Sequence, residues 1–453
     1  MKNKRNTFDI IISGGGLSGS LMALSLADLK KADGSLLSIA IVEATKPTAT
    51  ERGEQETTPT ESAQCNAVNK ESRVSGKDNS TSSLFDARVL ALSHGSASYL
   101  KKMGVWQHLS SDACAIEKID ISDKGYYGKA RIEAQEHGVS ALGYVIEMAL
   151  IGQAQLKELA SKNNIHWFTP DSIVDIHWQG STLNSDELKA STEQVAVVLG
   201  SEQILHANLL LACDGVNSPC RKLAGIKTNH SDYQQVALIT NVATKNSHQH
   251  KAFERFTKSG PIAMLPLAKL SSQSRIDVSG DSRCSLVWTM LPEQREEILA
   301  LSDHDFKQTL EREFGSWLGE ITHVGKRNVF PLVLLQAEQQ TYHRMALIGN
   351  ASHTIHPIAG QGFNLGLRDV QQMRELIEKS LQEQKDIGRF ASLNEYAQKR
   401  QQDQKQVIQL TDSLVTLFSN DLMPLVAGRN VGLKVMNYFS PIKNTLVNKL
   451  MGY

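Results

Sequence analysis

The segment "FDIIISGGGLSGSLMALSLADL", residues 8 to 29, limits the fold more than any other part of the chain. Residues 8 to 12 read as a buried strand, Gly14, Gly16 and Gly19 fit G-x-G-x-x-G, and the apolar residues behind them recur at helical spacing. In that setting the glycines have separate tasks: a tight turn, bare backbone beside a pyrophosphate, and close packing of helix on sheet. The helix start offers unpaired N–H groups to phosphate. A second strand, "LLSIAIVEA" at 36 to 44, reaches Glu43, where such a unit holds a carboxylate for a ribose diol. The pattern predicts a parallel α/β sheet that binds a dinucleotide, and leaves NAD and FAD both open.

At 453 residues the chain has room for two or three domains. Forty-eight basic residues balance 48 acidic ones, so no excess charge points to nucleic acid. Cys65, Cys114, Cys213, Cys220 and Cys284 form no C-x-x-C pair, which suits structural thiols in a reducing compartment. The start of the chain lacks a secretory signal pattern, and no apolar run reaches about 18 residues. The expectation is a cytoplasmic protein, soluble or surface-attached.

Residues 45 to 83 turn polar, with Ser or Thr at 13 of 39 positions, and read as a flexible insertion. Order resumes in "FDARVLALSHGSASYLKKMGVWQHL", where Arg88 could reach a phosphate or flavin edge or cap a helix. Leu92, Ala97, Leu100 and Met103 stand at helical spacing there. In "ANLLLACDGVNSPCRKLAGI", residues 207 to 226, a strand stops at Asp214-Gly215, which puts a carboxylate where parallel sheets bind ligands.

The third motif is "GNASHTIHPIAGQGFNLGLRDV", residues 349 to 370. It follows the strand "RMALIG" and leads into a helix marked by Phe363, Leu367, Val370, Met373, Ile377 and Leu381. A Gly360-Gln361-Gly362 turn at a helix start aims several N–H groups and the helix dipole at one point, which suits an anionic planar cofactor edge. His353 and His356 lack a metal-ligand pattern and read as packing or hydrogen-bonding residues.

Together "GGGLSG", "ACDGVNSPCRKLAG" and "ALIGNASHTIHPIAGQGFNLGLRD" resemble the flavin-dependent aromatic hydroxylases. "DARVLALSHGSASYLKKMGVW", "AFERFTKSGPIAMLPL" and "LTDSLVTLFSN" resemble the ubiquinone-biosynthesis members of that group. The resemblance implies an α/β fold: a Rossmann-like FAD-binding domain, an inserted antiparallel β-sheet substrate domain, and C-terminal helices. Residues 1–116, 146–227 and 341–391 would form the first, 117–145 and 228–340 the second, and 392–453 the helical region. Gly14, Gly16, Gly19 and Glu43 would hold the ADP half of FAD. Asp214 and Gly215 match an Asp-Gly motif associated with the pyrophosphate and NAD(P)H. Gly349 matches a Gly-Asp motif whose acid is here Asn350, an amide without charge. Pro357, Gly360, Gln361 and Gly362 match the loop beside the flavin ring. Met148 follows Glu147 where a polar residue is expected.

The implied reaction is hydroxylation of a polyprenylated phenol, with FAD as cofactor and NAD(P)H and O2 as co-substrates. Another ring position, an NAD-dependent dehydrogenase and a non-catalytic scaffold subunit are the competing readings. No residue stands out as an acid or base. The tail 422–453 carries Arg429, Lys434, Lys443 and Lys449 but no Asp or Glu, and suits the inner face of a membrane, a partner in a biosynthetic complex, or plain packing on the body.

Overall fold

The computed structural model describes residues 6–46, 88–178, 194–269, 282–355, 360–418, 428–432, 434 and 440–452. Most of the 45–83 insertion, together with Cys65, His356 and Pro357, lies outside them.

Strands Met345–Leu347, Ile204–Ala212, Thr7–Ser13, Ile39–Val42 and Ile165–Phe168 lie side by side in that order, all parallel. Helices Leu17–Leu26, Met148–Leu159 and Gln361–Gln382 bury their apolar sides on one face of this sheet. Two antiparallel strands, Ile173–His177 and Val195–Leu199, and the short helix Pro219–Leu223 cover the other. A sheet covered on both faces needs unbroken apolar strands, which is why Ile10, Ile11 and Ile12 are all fully buried and the segment shows no alternation.

A second sheet of nine strands is built mainly from residues 228–337, with Lys118–Asp123 and Lys129–Glu133 at one edge and His353–Thr354 at the other. Its pairings are antiparallel except one: Lys251–Thr257 runs parallel to Lys118–Asp123. The inserted sheet is thus antiparallel as expected apart from that junction, where the second strand arrives from a distant part of the chain rather than through a hairpin. One face packs on helices Gln294–Ala300 and Asp303–Phe314 through Phe253, Leu286, Phe306 and Phe314. The other face turns to a three-stranded sheet, in which Val89–Ser93 and Cys114–Ile116 flank Gly143–Glu147.

Leu92 belongs to the strand Val89–Ser93, not to the helix behind it. The helix starts at His94 because the Ser93 hydroxyl accepts the Ser96 N–H and caps it. In the tail, helix Ser440–Met451 buries Val447 and Met451 against Ile132, Ala134 and Leu142. Arg429 is buried 2.7 Å from Asp123, and Lys443 pairs with Glu136. No helix among the described residues is long and apolar enough to cross a membrane.

Candidate functional site

Every glycine motif read from the sequence ends up at one edge of the parallel sheet, the end where its strands finish. Gly14 follows Ser13, Glu43 follows Val42, Asp214 comes two residues after Ala212, and Gly349 two after Leu347. The backbone stitches them together: Gly14 N–H donates to the Val42 carbonyl at 2.8 Å, Cys213 N–H to Ser13 at 2.8 Å, and Ile348 N–H to Ala212 at 2.9 Å. This is the edge at which open α/β sheets bind ligands.

Gly14 has φ +93°, and a Cβ there would meet the Cys213 carbonyl oxygen at 2.6 Å. A side chain is excluded twice, by conformation and by space. Gly19 brings the first helix onto the strand so tightly that a Cβ would sit 1.8 Å from the Gly14 oxygen. Gly16, at the helix N-cap, differs: a Cβ would meet nothing within 4 Å. That open backbone in front of the helix N-terminus is room for a phosphate. Glu43 Oε2 accepts the Gly15 N–H at 2.6 Å, and Oε1 accepts from Thr45, so the carboxylate braces the loop that it borders.

Asp214 Oδ2 accepts the Cys220 N–H at 3.0 Å, while Oδ1 is buried with no hydrogen-bond partner. A buried unpaired carboxylate oxygen is costly, and a hydroxyl donor would satisfy it. Gly215 follows with φ +80°. Arg221 joins this turn to the third motif by donating to the Val216 and Ala351 carbonyls, each at 2.7 Å. Burial pushes the Cys213 and Cys220 thiols well up, and the Asp214 charge adds to it, so neither acts as a nucleophile at neutral pH.

The 349–370 stretch surrounds a buried charge cluster that the sequence did not announce. Asp369 is fully buried in helix Gln361–Gln382. It accepts the Gly349 N–H at 2.8 Å and meets His353 Nε2 at 2.9 Å and Arg400 Nε at 2.6 Å. Burial alone would raise its carboxyl, but Arg400, His353 and the Gly349 N–H together hold it below the ordinary range. Arg400 is correspondingly raised by Asp369 against the effect of burial. His353 is thus a hydrogen-bonding residue, as read. Asn350 next to it is exposed.

Gly360 caps that helix with φ +62°, and a Cβ there would press on Ala91 Cβ at 2.8 Å. Asn364, absent from the sequence reading, fixes the contact: its amide donates to Ala91 and Gly360 carbonyls at 2.9 and 2.8 Å, and its oxygen accepts the Ser93 N–H at 2.9 Å. Its one sequence signal was a polar residue beside the apolar stripe. Gln361 is buried, whereas a Cβ on Gly362 would meet nothing within 4 Å. Among the motif glycines, Gly16 and Gly362 thus leave open backbone at the mouth of a helix, and Gly215 leaves it in the Asp-Gly turn. Arg88, with an exposed side chain, sits three residues before Ala91 and is anchored by its carbonyl to Met148 N–H at 2.9 Å. Glu147 reaches across to the large sheet and meets Arg283 at 3.4 Å.

The large-sheet face turned towards Val89 and Val145 carries an unusual row. Ile239, Val287, Ala263 and Glu254 are register partners across four adjacent strands, and all four are only partly buried although their strands are otherwise mostly buried there. This row is where that face of the sheet is left incompletely covered. By contrast, a groove of about 640 Å³ lined by Trp178, Tyr342 and His343 lies at the opposite end of the parallel strands, by Arg344 where the 345–347 strand begins, and holds none of the motifs.

This geometry is that of a dinucleotide-binding fold carrying a second, mostly antiparallel sheet. Residues 71–411 match the family model described as FAD binding domain. The ubiquinone hydroxylase UbiL of Rhodospirillum rubrum is 32% identical, with 81% of this chain and 80% of that protein covered. The mitochondrial ubiquinone biosynthesis monooxygenase COQ6 of Mus musculus is 27% identical, with 97% and 90% covered. The crystal structure of p-nitrophenol 4-monooxygenase PnpA from Pseudomonas putida DLL-E4 shares the fold at a TM-score of 0.67, 16% identity and 99% of each chain. The chain belongs to this FAD-binding family, in its group of ubiquinone-biosynthesis hydroxylases, and is an FAD-dependent aromatic-ring monooxygenase.

Proposed function

We propose that the chain hydroxylates the ring of a polyprenylated phenol on the way to ubiquinone, with 2-polyprenyl-6-methoxyphenol as its substrate. The observation that carries the substrate class is the half-open, mainly apolar row Ile239–Val287–Ala263 on the sheet face that packs through Leu265 on Val89. Val89 lies on the strand whose Ala91 supports Gly360. A flat aromatic ring between that row and the Gly360–Gly362 loop would be shielded from water on both sides.

The residues fit FAD. Gly14, Gly16, Gly19 and the first helix N-terminus would take its pyrophosphate, Glu43 a ribose, and the unpaired Asp214 oxygen a hydroxyl of the linking chain, with Gly215, Gly349 and Asn350 beside it. Gly360, Gln361, Gly362 and Pro357 would border the ring, and Arg88 a ring edge or a phosphate. When bound, FAD supplies the redox chemistry, taking reducing equivalents from NAD(P)H and activating O2 for transfer of an OH group. The chain's own contribution is binding, orientation and exclusion of water. Residues 1–116, 146–227 and 341–391 would then act as the cofactor domain, with 117–145 and 228–340 as the substrate domain.

Work close to a membrane surface follows from the prenylated substrate. The tail's Arg429 and Lys443 are committed to Asp123 and Glu136, which leaves Lys434 and Lys449, both exposed, as the tail cations within reach of anionic lipid, with Lys449 also donating to Gln406 at 3.2 Å. Purified protein should show flavin absorption bands and oxidise NAD(P)H aerobically when a short-chain prenylated methoxyphenol is added, with a product heavier by one oxygen. The fragmentation pattern identifies the ring position. A protein that takes up no flavin, or whose NAD(P)H oxidation ignores every phenol, would refute the reading.

A further inference from the structure

The reaction needs a place for the phenolic proton, and the sheet face that would hold the ring carries a carboxylate, Glu254, with nothing paired to it among the described residues. Glu254 stands at the end of the partly buried row, opposite Ala263 on one neighbouring strand and Ile121 on the other. Its strand neighbours Phe253 and Arg255 point the other way, to Phe314 and Trp317, which fixes Glu254 on the face turned to Val89 and Val145. It makes no hydrogen bond or ion pair among the described residues, although protein surrounds it. A carboxylate that is enclosed, unpaired and still partly accessible lines a hollow rather than a packed core.

We propose that Glu254 is the base that takes the phenolic proton of the substrate. The inference rests on the hydroxylase reading above and deepens it. In the step, the ring O–H bond breaks, the proton passes to a Glu254 carboxylate oxygen, and the bonding pair stays on the ring oxygen. The extra electron density reaches the ortho and para carbons, the positions at which an electrophilic OH adds.

Surrounding charges leave Glu254 free to do this. Arg283 faces Glu147, Asp123 faces Arg429, and Lys443 faces Glu136, so these charged groups around that face already have partners. Tyr144 turns to Trp106 at 4.7 Å between ring centres, Arg88 is exposed, and burial pushes the Cys114 thiol up to about 11, which keeps it neutral. Burial alone raises the Glu254 carboxyl to about 7, a value suited to a base that must both accept and release a proton near neutral pH.

The test uses the FAD-loaded full chain as wild type, Glu254→Gln and Glu254→Asp, from about pH 6 to about pH 9, counting hydroxylated product. The substrates are a short-chain prenylated methoxyphenol and a ring-fluorinated analogue that ionises more readily. Wild-type product formation should rise through about pH 7. The Gln variant should keep its flavin spectrum, lose about a hundredfold in product formation, and lose the rise with pH. The Asp variant should recover part of both, and the fluorinated phenol should narrow the gap between wild type and Gln. A Gln variant with the wild-type rate and pH profile overturns the proposal and leaves the hydroxylase reading standing. Wild-type protein that hydroxylates neither phenol overturns both.

Discussion

Replacing Asp369 by Asn tests whether the buried charge cluster holds the third glycine motif in place. The side chain keeps its size but loses its charge, while Arg400, 4% exposed at its side chain, stays charged beside it. Removing one partner of a buried ion pair costs about 3–5 kcal/mol, because the other is left desolvated. Asp403 also pairs with Arg400, which places the expected loss at the lower end, about 3 kcal/mol. Unfolding entropy of about 2 cal/mol/K per residue gives a chain of 453 residues about 1 kcal/mol per degree. The melting temperature should therefore fall by about 3 °C. Flavin fluorescence during a thermal ramp of the FAD-loaded protein reads this directly, since flavin released from the fold becomes bright. FAD affinity should fall as well, because the Gly349 N–H loses its charged acceptor. The sign with pH is also fixed: Asp369 is held below its usual range, so its contribution is full above about pH 4 and disappears as acid protonates the folded form. Wild type and variant should converge in acid. Asp369→Leu combined with Arg400→Met, which leaves no stranded charge, should melt above Asp369→Asn. A variant with wild-type melting and FAD affinity at neutral pH would refute the reasoning.

Other perturbations reach different parts of the site. Gly362→Ala puts a methyl group into open space at the helix mouth, so FAD affinity should drop at least tenfold while apoprotein melting stays within about 1 °C of wild type. Gly14→Ala should destabilise the apoprotein too, because its methyl group meets the Cys213 carbonyl; equal melting of the two apoproteins would contradict the packing described. Asn364→Ala leaves the Ser93 N–H and Ala91 carbonyl unpaired, at a cost of about 1–3 kcal/mol in chemical denaturation, and should weaken FAD binding. Glu254→Gln should stabilise the protein at high pH. The folded carboxyl titrates near 7 against 4.5 unfolded, so ionisation costs the wild type up to about 3 kcal/mol above pH 7 and nothing below about pH 4. A stability gain that is the same at acid and alkaline pH would contradict an enclosed, unpaired carboxylate.

The parallel core was legible because its signals are local. Three isoleucines in a row, a glycine turn and a helical stripe all lie within residues 8 to 29, and each acts on its neighbours in sequence. The same holds for Gly360, where helix start and glycine coincide. Leu92 was misassigned because helical spacing and a buried strand look alike over a few apolar residues; the strand pairing with 143–147 and the Ser93 cap decided it. Asp369 and Asn364 stayed hidden because an amphipathic stripe is read from apolar positions, and nothing local shows that Arg400 or Ala91 will come to meet a polar one. Glu254 was hidden for a similar reason. In "KAFERFT" its alternation is visible, but which face looks into a hollow depends on the partners at 121 and 263.

The way the cofactor edge is assembled also bears on how the protein is made. The phosphate loop leaves the ribosome well before the Gly349 turn against which it lies, and that turn is held by Asp369, and Asp369 by Arg400. A nascent chain has no completed cradle until Arg400 has emerged. Loading of FAD then acts as a checkpoint: products that stop short of Arg400 would stay colourless, and the yellow holoprotein would report a chain that extends past it.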